Sequence, residues 1–161
     1  GEGESITDLG GNDLLWKLYS DNRDYAKAHE GQRSTAANLI VATSAGLIGL
    51  VTFDQELSAN DLPLTVFLIF LGAFGAIFSS KHYERTRLHL NRAKQYLKKL
   101  DEAYSVLGIT ELQDRGSAAN ARMFPILSRI RLNSLWNAFY LLITCLGLFV
   151  SSYIIYLEAA A

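Results

Sequence analysis

The 161-residue chain has one cysteine, Cys145, so no disulfide can close within it, and a lone thiol inside an apolar run says nothing of redox compartment. A small-residue packing role fits it. No Gly-x-Ser-x-Gly, P-loop or Gly-rich dinucleotide sequence occurs. His29, Glu30, His82 and His89 invite a metal idea, but their spacing matches no metal site, and a solvated pair is the plainer reading. No strand alternation, internal repeat or low-complexity segment competes with helix. The start, Gly1-Glu2-Gly3-Glu4-Ser5, has no basic stretch leading into an apolar one and does not read as a signal peptide. Ala159-Ala160-Ala161 reads as a vector-derived scar. These absences argue against an enzyme and imply no cofactor and no metal.

Charge is missing in blocks. Residues 34–53, 62–80 and 132–157 hold no Asp, Glu, Lys or Arg, giving gaps of 20, 19 and 26 residues. About 20 apolar residues cross a hydrocarbon core of about 30 Å. The expected fold is therefore all-α integral membrane, a single domain with three transmembrane helices and long cytoplasmic helical extensions. A helix over 12–33, capped by Asn12 or Asp13, runs into a first span at 36–53, with Gly31 the one place for a kink. A short acidic loop leads to a second span at 64–80. Residues 81–131 form a cytoplasmic helical region: an amphipathic helix ended by Gly108, a short acidic turn over 110–116, and a short helix over 117–130 interrupted near Pro125. The third span covers 132–156.

Orientation follows from Lys and Arg. Lys17, Arg23, Lys27 and Arg33 precede the first span, the other 11 of the 15 lie between the second and third, and the 54–63 loop has none. That split predicts a multi-pass protein with the N-terminus in the cytoplasm and the C-terminus outside. Ionisable groups are absent from the spans, which argues against a proton- or ion-coupled transporter.

Three features can carry function. The first is a basic helix. Lys81, Arg85, Arg87, Arg92, Lys94, Lys98 and Lys99 face only Glu84 in that stretch, with Tyr83 and Tyr96 interleaved. Lys81, Arg85 and Arg87 lie next to the span and suit anionic head groups. Arg92, Lys94, Lys98 and Lys99 begin roughly 16 Å further along a helix, where lipid attraction is a poorer explanation. With Arg23, Lys27 and Arg33 on the preceding helix they form the expected ligand-binding set. Its ligand would be a polyanion of nucleotide or oligonucleotide type, with cations for phosphate and rings for bases; duplex DNA is not expected. The second is a polar stripe on the third span, Asn133, Asn137, Tyr140, Thr144 and Ser151, with Gly147 in its gap. It either lines a wet pore or hydrogen-bonds between helices. The third is small residues: Ala42, Ala45, Gly46 and Gly49 on the first span, and Gly72, Ala76 and Ser80 beside Gly75 and Ser79 on the second. Such rows let helices approach closely, and three spans enclose no conduit alone, so a homo-oligomer of four or more copies is expected.

The run Tyr25-Ala-Lys-Ala-His-Glu-Gly-Gln-Arg-Ser-Thr35 leads into the first span, and Gly75-Ala-Ile-Phe-Ser-Ser-Lys-His-Tyr-Glu-Arg-Thr-Arg-Leu-His-Leu90 leaves the second. Together, over roughly residues 12–107, they resemble small bacterial membrane effectors of antiviral operons encoded beside a nucleotidyltransferase, SLATT-like or Hailong-type. The third span departs from a two-span pattern. The resemblance implies an oligomeric effector in the bacterial inner membrane whose ion channel or pore is gated by a nucleotide signal and depolarises the infected cell. The alternative is a non-conducting scaffold that binds a partner protein or anionic lipid.

Overall fold

The computed structural model describes residues 6–53 and 56–160, and all regular structure among them is helical. Four α-helices appear: α1 (Ile6–Val51), α2 (Leu62–Ala103), α3 (Ile109–Met123) and α4 (Leu132–Ala160). At 1.5 Å per residue, α1 and α2 are roughly 69 and 63 Å long and α4 roughly 44 Å. All three are long and apolar enough to cross a membrane. This is a membrane protein by helix length and composition.

The expected cap at Asn12 or Asp13 is not used. Helix α1 already runs at Ile6, and Gly31 interrupts nothing. The separate acidic turn expected over 110–116 is also absent: α3 is one helix through Gly116 to Met123. Its start is held from outside. Gly108 takes the left-handed conformation (φ 53°), which an L side chain would resist. That turn brings the free amides of α3 to Asp101, whose carboxylate accepts from Ile109 N (2.6 Å), Thr110 N (3.2 Å) and the Thr110 hydroxyl. These bonds, the Thr110 hydroxyl first, hold the Asp101 carboxyl below its usual pKa although desolvation opposes them.

Contacts divide the chain into two compact units. The first contains the chain up to Glu30 together with Glu84–Ile130. Here α1 and α2 are antiparallel: Asn12 Nδ2 donates to the Tyr104 hydroxyl (3.0 Å), and Asn22 Oδ1 meets His89 Nδ1 (3.0 Å). Ala26, Ala93, Leu97 and Leu100 are buried. Small alanines on facing positions allow the two backbones to close together.

The second unit contains Gly31–Tyr83 and the chain from Arg131. It is a three-helix bundle around Ala37, Ile40, Leu68, Tyr140 and Ile143, with Leu47, Leu71, Ala76 and Trp136 packed on them. The polar stripe of α4 lies inside this bundle. Ser151 donates to Thr65 Oγ1 (2.8 Å), Asn137 Nδ2 donates to Ser80 Oγ (3.1 Å), and Asn133 Oδ1 accepts from Arg33 (3.4 Å). Tyr140 is fully buried. A Cβ on Gly72 would strike Thr144 Oγ1 and lie 2.8 Å from the Tyr140 carbonyl; one on Gly147 would lie 2.8 Å from Ile69 Cγ1 and 2.9 Å from the Thr65 carbonyl. Glycine is therefore required on both sides of the α2–α4 seam. Side-chain hydrogen bonds between spans contribute about 0.6 kcal/mol each on average. Close backbone packing therefore holds this seam more than the polar bonds do.

A candidate anion-binding groove

Within the first unit two adjoining depressions share Arg23 and Leu90. One is lined by Tyr19, Arg23, Arg87, Leu90, Ala93, Lys94, Leu97 and Gln113. The other is lined by Arg23, Ala26, Lys27, Glu30, Thr86 and Leu90. Both are open and small, with cavity volumes of about 140 and 280 Å³. The floor is apolar, from Ala26, Leu90, Ala93 and Leu97. The walls carry Arg23, Lys27, Arg87 and Lys94 against one acid, Glu30.

Helical spacing explains the convergence. Arg87, Leu90, Lys94 and Leu97 advance by three and four residues and share one face of α2. Tyr19, Arg23, Ala26 and Glu30 do the same on α1. Because α1 and α2 run antiparallel here, cations of both helices reach one groove, and α3 supplies Gln113 from a third side. Two guanidiniums offer forked donors to phosphate oxygens, and the lysines add point charge. Tyr19 stacks on Trp16 (centroids 5.3 Å apart), so the wall is aromatic as well as basic.

Of the expected ligand-binding set, Arg23, Lys27 and Lys94 line this groove. Arg92, Lys98 and Lys99 do not. Arg92 and Lys99 lie about 160° and 140° round the helix from Lys94. Lys99 is paired with Glu102 (2.8 Å), and that bond, then the charges of Lys99 and Lys98, lowers the Glu102 pKa. Arg33 belongs to the second unit and is a correction to the expectation. It is buried, donates to Asn133 and lies over the Tyr83 ring (5.9 Å), so its guanidinium serves the bundle. Arg87 was missed because its place beside a span suggested lipid contact, yet the spacing Arg87–Lys94 carried the signal. Tyr19 and Gln113 left no comparable mark.

The expected pore-lining set is also placed. Asn133, Asn137, Tyr140, Thr144 and Ser151 all meet α1 or α2 of their own chain, as described above. Within one protomer the stripe is engaged in contacts between helices. The outward face of α1 is different. Thr35, Asn38, Ala42, Ala45, Gly49 and Thr52 are exposed at spacings of three and four, and nothing lies within 4 Å of a Cβ built on Gly46 or Gly49.

No family model matches the chain, and no curated protein or solved structure is significantly similar to it.

Proposed function

We propose that the protein is an oligomeric membrane effector whose permeability is controlled by a phosphate-bearing ligand of nucleotide type held in the groove. One observation carries this: Arg23, Arg87 and Lys94 meet beside Tyr19 in one depression with an apolar floor, and Lys27 lines the adjoining depression that shares Arg23. Lipid attraction alone does not call for a concave, aromatic-walled site on three helices. Helices α1 and α2 pass without a break from the groove into apolar spans, so a ligand that draws them together biases the spans directly. The outward face of α1, with its small and polar residues, is where copies would pack together around a conduction path. The Lys and Arg split supports an N-terminus in the cytoplasm and a C-terminus outside, in a bacterial inner membrane. The antiviral role belongs to this proposal through the resemblance alone.

The test is binding of a fluorescein-labelled trinucleotide to the full chain in nanodiscs, beside planar-bilayer recording. Hydrogen bonds to charged groups contribute about 1.5–3 kcal/mol each, so Arg23→Glu and Lys94→Glu each weaken binding at least tenfold. Arg92→Glu, which changes net charge equally, weakens it little. Equal losses in all three would reduce the site to diffuse attraction and sink the groove. A second reading has its own support. The stripe of α4 is closed within the protomer, as suits a non-conducting scaffold for a partner protein or anionic lipid. Trinucleotide binding without any conductance would favour the scaffold.

A further inference from the structure

The end of α3 and the connection to α4 are neither in the groove nor in a candidate span. Met123, Phe124, Ile126, Leu127 and Ile130 are 71%, 46%, 73%, 67% and 46% exposed. Five large apolar side chains within eight residues form a patch that water alone does not suit. Around them stand Arg122, Arg129 and Arg131, all exposed. Between Asp114 and Glu158 there is no acidic residue, so the patch carries charge of one sign.

Two further facts identify what covers it. Helix α4 begins at Leu132, two residues after Ile130. Two residues reach at most about 7 Å, so Ile130 lies where the apolar run of α4 begins. Part of the backbone is also closed on itself. Phe124 N donates to Asn120 O (2.9 Å), Ser128 N to Phe124 O (2.9 Å), Arg129 N to Ile126 O (3.1 Å) and Ile130 N to Leu127 O (3.2 Å). Pro125 has no N–H to satisfy. A knuckle with these four amides bonded locally suits the head-group boundary, where water and lipid oxygens can meet the others.

We infer that residues 123–130 form an interfacial foot that lies in the surface of an anionic bilayer. Its apolar side chains enter the head-group boundary, and Arg122, Arg129 and Arg131 hold lipid phosphates. Partition of apolar side chains and attraction of arginines to anionic lipid act together in such segments. The inference rests on α4 crossing the membrane.

The experiment uses the full chain with Trp16→Phe and Trp136→Phe, reconstituted into vesicles of phosphatidylglycerol with brominated phosphatidylcholine. One version carries Phe124→Trp, a second Leu142→Trp within the α4 span. Bromine placed shallow in the acyl chain should quench the tryptophan at 124 more than bromine placed deep. The tryptophan at 142 should show the opposite order. Replacing phosphatidylglycerol by a neutral lipid should reduce quenching at 124 and not at 142. Each arginine of the three changed to Gln should weaken seating of the foot about fivefold. If the tryptophan at 142 is quenched and that at 124 is not, the foot is wrong while the span stands. That holds whether the unquenched emission is water-like or is blue-shifted by cover from protein, such as a second copy. If neither is quenched, the spanning assignment falls and takes the foot with it.

Discussion

Single residues show how the fold treats charge. His89 on α2 sits against three residues of α1: it shares a hydrogen bond with Asn22, and its ring lies 5.2 Å from Tyr25 and 5.6 Å from His29. Desolvation lowers its pKa from the ordinary 6.5, and the nearby charges of His29, Arg92 and Arg85 add to the effect. A histidine whose folded pKa is depressed is protonated first in the unfolded chain. Stability is therefore full above the unfolded value and is lost as pH falls below about 6.5, until the folded pKa is passed. Between about pH 7.5 and 5.5 the melting temperature of the purified protein should fall more for wild type than for His89→Gln. Equal falls would show that the histidine does not govern acid sensitivity. Arg33 is the contrasting residue. Its cation stays buried because Asn133 and the face of Tyr83 receive it, which makes it structural despite its charge.

Helix faces decide which elements pair. Gly72 on α2 and Gly147 on α4 have no room for a Cβ, whereas Gly46 and Gly49 on α1 have open space. Gly72→Val should force α2 and α4 apart and cost about 1–3 kcal/mol, read as a lower unfolding midpoint in mild detergent. An unchanged midpoint would mean that the seam is looser than the distances imply. The three helices long and apolar enough to span a membrane were legible from charge-free gaps alone, since length against hydrocarbon thickness leaves few alternatives. The α4 stripe was legible as a face, because period 3.6 places Asn133, Asn137, Tyr140 and Thr144 together. Its destination was not, because periodicity names a face and not what meets it. The same limit hid the burial of Arg33 and the place of Arg87 in the groove wall. The capping of α3 depended on Asp101, eight and nine residues from the amides that it receives, beyond the reach of a local N-cap pattern.

At the scale of the whole molecule, α1 presents two opposite faces. Ala37, Ile40, Ser44, Leu47 and Val51 turn inward at spacings of three and four. Thr35, Asn38, Ala42, Ala45, Gly49 and Thr52 keep the same spacing roughly 150° away and are exposed. Alternation of three and four is the pattern of a helix seam, and small residues are what such a seam needs within lipid, where there is no hydrophobic drive to pair. One protomer of three such helices encloses no path, so conduction requires assembly of copies, and this face is the seam to test first. Native mass spectrometry in mild detergent should show four or more chains. Gly49→Leu should lower the copy number, because the new side chain fills the space that a neighbouring helix would occupy. It should leave helix content and unfolding midpoint of the protomer unchanged, since a Cβ at 49 meets nothing there. The contrast with Gly72→Val, which should damage the protomer itself, separates assembly from folding. A monomeric wild type would remove the channel and leave the scaffold. An oligomer that Gly49→Leu does not disturb would keep the channel open as a function and place its seam on a helix other than α1.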